Sequence, residues 1–320
     1  MRICRYILCL LLPILFSGIG YGAEPDQSNV EIQKAVLVTG ASSGIGRKIT
    51  ETLAANGYFV YAGARKQQDL DELDRIENVQ SIRLDVTVQE EIDSAVETVR
   101  KSGKGLYGLV NNAGVAALGP LTDIDEEEVN WMFDVNVFGV YRVTRAFAPL
   151  IMESKGRITT IGSISGILSG TFSGPYSMTK HAIEAYTDAL AQELARFEVK
   201  VSVIEPGNYK SEIGNTAFSR MKDKGYIKEG SPYAEQLKQI LSMPSDRSQY
   251  KEPDEVAEAA LRALSDENPR IRYMVVPDEQ EARITINRSI QKVIELNGQQ
   301  PYSFSREELI AMLDEILKAQ

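Results

Sequence analysis

Tyr176 and Lys180 stand four residues apart near the start of a run with helical spacing, Pro175 to Phe197, so both side chains fall on one face. A free tyrosine ionises near pH ~10, too high for a base at neutrality. A nearby ammonium favours the phenolate and lowers that value, and a positive nicotinamide ring would do the same. Tyr176 could then exchange a proton with a substrate hydroxyl or carbonyl oxygen. The spacing alone is common and carries little. Ser163, thirteen residues upstream and just past an apolar strand-like run, offers a hydroxyl that could orient the same oxygen.

A second chemistry is written at Thr39–Gly46. Gly40, Gly44 and Gly46, with Ser42, Ser43 and Ile45 among them, lie between an apolar strand-like run and a helical one. Glycines allow a tight turn and let a pyrophosphate approach the backbone, and the following helix offers free N–H groups and a positive dipole end. In this strand–turn–helix setting the pattern reads as a dinucleotide cradle. The alternative is a glycine-rich turn that binds nothing. The end of the second strand, Ala62 to Lys66, has no acidic residue to hold an adenosine ribose. Arg65, nineteen residues past Gly46, could instead hold a 2′-phosphate, with Arg47 assisting. NADP(H) is therefore preferred over NAD(H), which stays open, as does Arg65 being an ordinary solvated charge.

These residues need a frame, and the chain supplies one by alternation. Strand-like runs at 35–39, 58–63, 79–84, 106–111, 157–161, 199–204 and 272–276 are spaced by helical runs at 44–56, 69–76, 88–100, 125–151, 175–197 and 253–264. Such alternation predicts an α/β fold, a doubly wound parallel sheet of about seven strands with helices on both faces. Residues 211–250 are polar and broken by glycine and proline. They suit a lid over a substrate mouth, or a surface insertion with no role. Residues 279–296 and 306–318 read as helices, the second opened by a capping box of Ser305 and Glu308.

The 320 residues carry 43% hydrophobic and 25% charged side chains, the balance of a folded globular chain. A net charge of −10 makes nucleic acid a poor partner. With two cysteines, Cys4 and Cys9, and one histidine, His181, a Cys/His zinc site is excluded, and no metal is expected. His181 lies five positions past Tyr176, about 140° around a helix, and reads as a packing residue. The acidic run Asp123 to Glu128 is explained by the helix dipole, and Trp131 and Phe133 by packing.

Residues 1–22 have Arg2 and Arg5 before an apolar stretch, Ile7 to Phe16, then small residues at Gly20 and Gly22. That is the layout of a secretory signal peptide. The rival is a membrane anchor, though fifteen uncharged residues, Ile7 to Tyr21, are short against the ~20 that a spanning helix needs. Either reading makes the protein exported or membrane-associated; a start codon placed too early would make it cytoplasmic.

The glycine turn, Asn111–Gly114, Ser163, Tyr176 and Lys180 together resemble the short-chain dehydrogenase/reductase family, in its compact GxxxGxG branch, over residues 33–280. The resemblance implies a Rossmann-like domain at 34–280 after a linker at 23–33, with a helical extension at 281–320. It implies Tyr176 as general acid/base, with Lys180 lowering its pKa and touching the nicotinamide ribose. Ser163 then bonds the substrate oxygen, and Asn136 holds a relay water by opening its helix locally. For the cofactor it implies Asp85 and Val86 at the adenine, Asn112, Ala113 and Gly114 beside the adenosine ribose, and Pro206, Gly207 and Ser211 at the nicotinamide. Ser211 stands where relatives often have threonine. Phe133 to Ser211 is similar to retinol and 17β-hydroxysteroid dehydrogenases, which implies a lipophilic alcohol or ketone substrate. The long helical runs 125–151 and 175–197 resemble those that build dimers and tetramers in this family, which implies a homodimer or homotetramer. Two other readings stay open: a dinucleotide-binding regulator without turnover, and a lipophile-binding protein.

Overall fold

The computed structural model describes residues 33–224, 227–242 and 249–319. The N-terminal address segment, and all of the linker but Gln33, lie outside these residues, as do parts of the 211–250 segment.

Seven strands form one sheet, in the order β3-β2-β1-β4-β5-β6-β7. They are β1 (Ala35–Val38), β2 (Phe59–Ala64), β3 (Val79–Arg83), β4 (Gly108–Asn111), β5 (Arg157–Ile161), β6 (Lys200–Pro206) and β7 (Arg272–Val275). Every neighbouring pair is parallel. The strand order reverses between β1 and β4, and such a switch point leaves a crevice at the carboxyl ends of the strands. The glycine turn leaves β1 and the Asn112 turn leaves β4, so both open into that crevice.

The central strands are apolar on both sides because helices cover both faces. On one face α1 (Gly44–Ala55) and α9 (Asp254–Ser265) bury Ile49, Leu53, Val256 and Ala260 against Val36, Val38 and Val60. On the other, α3 (Gln89–Ser102) and α5 (Val140–Glu153) bury Ile92, Val99, Val143 and Phe147 against Leu37 and Leu109. The short α2 (Gln67–Leu73) follows β2, and α6 (Gly174–Ala195) packs on β6.

The run read as one helix from 125 to 151 is two. α4 (Glu126–Phe133) and α5 are joined by a π-helical segment, Asp134–Gly139. The widened turn is held from outside: Arg142 donates to the Asp134 carboxylate at 2.6 Å, and both ends of the Asn136 amide bond the Val115 backbone at 2.8 Å. Such π segments occur often at functional sites.

After β6 come α7 (Ile213–Asp223) and α8 (Ala234–Ser242), then, past β7, α10 (Glu279–Asn297) and α11 (Arg306–Lys318). The capping box of Ser305 and Glu308 is formed. Among the described residues no helix is long and apolar enough to cross a membrane.

Phe147 is fully buried at the centre of the α5 face. Phe147→Ala is expected to cost about 3–5 kcal/mol, read as a lower urea midpoint with an unchanged slope.

Candidate active site

The glycine turn is a built cradle. Gly40 and Gly44 have φ of +64° and +54°, in the left-handed region that side chains avoid. A β-carbon on Gly46 would lie 2.2 Å from Asn112 Nδ2 and 2.3 Å from the Gly40 carbonyl. The turn after β4 closes the other side. Asn112 Nδ2 donates to the carbonyls of Thr39 and Gly40 at 2.9 and 3.0 Å, while the N–H groups of Asn112 and Ala113 both donate to Thr39 Oγ1 at 3.0 Å. Ser43 precedes α1 without capping it, and the first turn of α1 has no acidic residue. The positive end of α1 thus stays available to an anion.

Ser211 joins this cradle from the far side of the crevice. Its Cβ lies 3.3 Å from where a β-carbon on Gly44 would stand, and a cleft of about 230 Å³ opens beside Gly44, Arg47 and Ser211. The Pro206–Gly207 turn is fastened by Glu281 of α10, which accepts from the Asn208 N–H at 3.0 Å and the Asn208 amide at 2.6 Å. At the other end Asp85 accepts from the Thr87 N–H and hydroxyl, and Arg65 Nη1 lies 3.5 Å from Asp85 Oδ2. The next residue, Val86, packs on Gly139, where a β-carbon would come within 2.6 Å. The Thr87 bonds and Arg65 draw the Asp85 carboxyl below its usual value against the opposing effect of burial. The Arg65 side chain is 66% exposed just past the carboxyl end of β2. Arg47 is already engaged by Glu51 at 2.6 Å, so it is less available for a phosphate than its position suggests.

The proton-transfer candidates converge at the carboxyl end of β5. Lys180 is only 6% exposed, and its ammonium donates to the Ile161 carbonyl at 2.8 Å. Its Nζ stands 5.6 Å from the centre of the Tyr176 ring. Burial pulls the Lys180 ammonium down to about 8, with Glu184 acting in the opposite direction. Ser163 lies two residues beyond Ile161 and opens a short 3-10 turn, Ile164–Gly166, accepting from the Ser165 N–H at 3.0 Å. Asn136 enters from the π segment, and its Nδ2 also donates to Thr179 Oγ1 at 3.1 Å, while Thr179 donates to the Tyr176 carbonyl at 2.7 Å. The structure therefore gathers the π segment, the β5 turn and the first turns of α6 around one spot.

Over Tyr176 lies an apolar cluster absent from the motif reading. Ala117, Met132, Met221 and Leu237 are buried there, with Tyr176, Trp131, Phe172 and Tyr233 packed against them. Met221 and Leu237 belong to α7 and α8, so these two helices turn their apolar faces onto the site.

The acidic run before and within α4 has a role that the helix dipole does not supply. Glu128 is 2% exposed and receives two bonds from Arg220 of α7, one of them at 2.9 Å, while the guanidinium carbon lies 3.7 Å above the Trp131 ring. Lys228 donates to Asp125 at 2.8 Å, and Ser231 donates to Asp123. Three acids at the start of α4 thus fasten the segment that covers Tyr176. His181 turns elsewhere: its Nδ1 bonds the Ser177 carbonyl at 2.9 Å, and its Nε2 faces Lys292 at 3.3 Å.

Residues 34–222 match the family described as short chain dehydrogenase. Mitochondrial D-beta-hydroxybutyrate dehydrogenase of Bos taurus is 39% identical over 186 residues, 55% of this chain and 54% of that protein, so the chain spans about half the length of this relative. NADPH-dependent 3-dehydrocapnine reductase of Ornithobacterium rhinotracheale is 36% identical over 251 residues, 75% of this chain and 87% of that one. Among solved structures, a short-chain dehydrogenase from Streptomyces avermitilis superposes with a TM-score of 0.69 at 32% identity, covering 83% of this chain and 96% of its own.

Two outcomes follow from this geometry. Gly46→Ala is expected to destabilise the fold by about 1–3 kcal/mol through overpacking, whereas Gly114→Ala, which meets nothing closer than 3.5 Å, stays within ~0.5 kcal/mol; thermal melts compare them. Arg220→Ala leaves the Glu128 carboxylate buried without its guanidinium, and should speed tryptic cleavage after Lys222, Lys224 and Lys228 several-fold while the sheet stays protected, as read by mass spectrometry of timed digests.

Proposed function

Because the chain belongs to the short-chain dehydrogenase family, we propose that it is an NADP(H)-dependent oxidoreductase. It would interconvert a lipophilic primary or secondary alcohol and the matching carbonyl compound. The observation that carries this reading is the buried Lys180 ammonium 5.6 Å from the Tyr176 ring, beneath an apolar cover.

The cradle fits a dinucleotide, since left-handed Gly40 and Gly44 bare the backbone there, Gly46 packs closely on Asn112 to hold the turn, and the α1 N-terminus faces it uncapped. Gly40, Ser42, Ser43, Gly44, Ile45 and Gly46 would hold the pyrophosphate, and Asp85, Val86, Asn112, Ala113 and Gly114 the adenosine side. Pro206, Gly207, Ser211, Tyr176 and Lys180 would hold the nicotinamide side. Arg65 favours a 2′-phosphate, because β2 ends without an acid and the guanidinium is exposed beside Asp85. When bound, the dinucleotide supplies or removes the hydride.

The chain's own residues handle the proton and the substrate oxygen. Tyr176 gives a proton to that oxygen in reduction and takes it in oxidation. The Lys180 ammonium favours the phenolate. It is held on the Ile161 carbonyl at 2.8 Å, so its charge stays near the ring. Ser163 orients the oxygen, and Asn136, pinned between Val115 and Thr179, serves the proton relay. The apolar cluster under α7 and α8 supports a lipophilic substrate, with 211–250 acting as a lid that excludes water.

Phe138 and Tyr141, half-exposed on the π segment and α5, support a homodimer or homotetramer. The Arg2, Arg5 and Ile7–Phe16 pattern supports export or membrane association.

Titration of residues 30–320 with NADPH and NADH, followed by nicotinamide fluorescence, tests the reading. NADPH should bind tighter, and Arg65→Asp should reverse the order. On a panel of lipophilic ketones, Tyr176→Phe should lose at least ~100-fold in rate while keeping NADPH affinity. Failure of either nucleotide to bind at millimolar concentration would overturn the proposal.

A further inference from the structure

Behind Lys180 lies a buried acid pair that the reaction just described does not use. Tyr176, Lys180 and Glu184 follow one another at spacings of four on α6, a single stripe of the helix. Glu205 sits on β6 and is 2% exposed. Alternation along β6 turns it to the side of Val203, the side that α6 covers. A β-carbon on Gly162 would stand 2.8 Å from Val203 Cγ2 and 3.3 Å from Glu184 Oε1, so the Glu184 carboxyl lies beside the face of β6 that bears Val203 and Glu205, and the two carboxyl groups act on each other.

The surroundings cannot satisfy two carboxylates. Glu184 Oε2 accepts from Arg272 Nε at 3.0 Å. The same guanidinium is shared with Asp188, at 2.8 Å from Nη2. Glu184 Oε1 and Glu205 Oε1 are buried, and no donor among the described residues reaches either. Glu184 Oε1 is pressed against the turn that bears Ser163: a β-carbon on Gly162 would come within 3.3 Å of it, and one on Gly166 within 2.9 Å. That turn presents only backbone and the hydroxyls of Ser163 and Ser165. From α10, Lys292 is committed to the Ile167 carbonyl at 2.6 Å and to His181. The charged groups facing the pair are therefore Lys180 and Asp188 of α6 and Arg272 of β7.

Two ionised carboxylates in contact in a buried site repel strongly, and buried polar atoms without partners are costly. One proton held between them satisfies both orphan oxygens and leaves one negative charge. We propose that Glu184 and Glu205 share a single proton and act together as a one-charge counter-ion that positions the Lys180 ammonium. The pair deepens the reading of Tyr176 and Lys180 given above and rests on it. Both are positioning residues, since neither is placed against substrate or nucleotide. The titration behaviour agrees with the geometry. Burial, reinforced by Glu184, pushes the Glu205 carboxyl up to about 8 against the pull of Arg272, while Glu184 opposes the downward effect of burial on Lys180.

The sign of the test follows from Glu184 raising the Lys180 value. Glu184→Gln removes the charge, so Lys180 gives up its proton at lower pH. The alkaline limb of NADPH affinity, and of kcat/KM, should move down by about one pH unit, or about tenfold weaker binding between the two limbs. Glu184→Asp should restore most of the limb. Glu205→Gln should move it less and in the same direction, because an amide cannot take the second charge that Glu205 acquires at high pH. Should Glu184→Gln fail to fold, side-chain carboxyl NMR of the nucleotide-free wild type, labelled at glutamate, decides the matter. One glutamate carboxyl should titrate well above all others, and its signal should be absent from Glu205→Gln. A limb unmoved in both glutamine variants, or every carboxyl ionising in the ordinary range, would overturn the proposal. Absence of NADPH binding by the wild type would instead overturn the oxidoreductase reading, and the carboxyl titration of the nucleotide-free protein would still decide whether the proton is shared.

Discussion

The site depends on a lysine ammonium taken out of water. Burying a cation is costly unless it is given partners, and Lys180 has two kinds: the Ile161 carbonyl, which takes its hydrogen bond, and the Glu184 side, which supplies negative charge. That single bond joins α6 to the end of β5. It fixes how far along the sheet α6 can slide, and so where Tyr176 stands relative to the turn bearing Ser163. Further along the helix, Glu184 and Asp188 hold Arg272 of β7, and the remaining contacts with the sheet are apolar and non-directional. The Lys180 contact is what makes the register of the chemistry definite.

Two halves of the crevice solve different problems with different materials. The nucleotide half is made of backbone: left-handed glycines, a helix end, and an asparagine amide that clamps two carbonyls. Close approach of the turns after β1 and β4 leaves no room for a side chain at Gly40 or Gly46. The half above Tyr176 is made of side chains, with Met132, Met221 and Leu237 packed beneath a polar exterior. Between them lies the π segment, whose wider turn lets the Asn136 amide reach both Val115 and Thr179. A regular helix over the same residues would carry Asn136 to a different angle.

What local pattern determines was legible in the chain before any coordinates. Strand runs, glycine spacing, the Tyr176–Lys180 stripe and the Ser305–Glu308 box all depend on residues a few positions apart, and each element type emerged within a residue or two of its expected bounds at most ends. The break between α4 and α5 was not visible as a boundary, because apolar spacing changes little when one turn widens. The Arg220–Glu128 pair spans 92 positions, and nothing in either local segment points to the other. Read alone, the acids of α4 looked like dipole complements. Nothing local marks Glu205, because its place beside Glu184 depends on how α6 lies over β6. Arg47 is placed by position, while its ion pair with Glu51 four residues on emerges only with the helix. The family likeness at the motifs was sound because those motifs are the local part of the site.

The fastening of α7 and α8 has a consequence for how such a protein can change. Their charged anchors are on the first turns of α4, not on the glycine turn, β5 or the start of α6. The polar fastenings of the roof thus lie apart from the floor, which meets it through apolar packing at Phe172 and Tyr176 and through Ser211 beside Gly44. Substitutions among Met221, Ile227, Tyr233 and Leu237 can reshape the space above Tyr176 while the cradle and the lysine keep their geometry. In evolutionary terms the architecture is modular: selectivity can drift at the roof, by small exchanges of apolar volume, without each step putting the chemistry at risk.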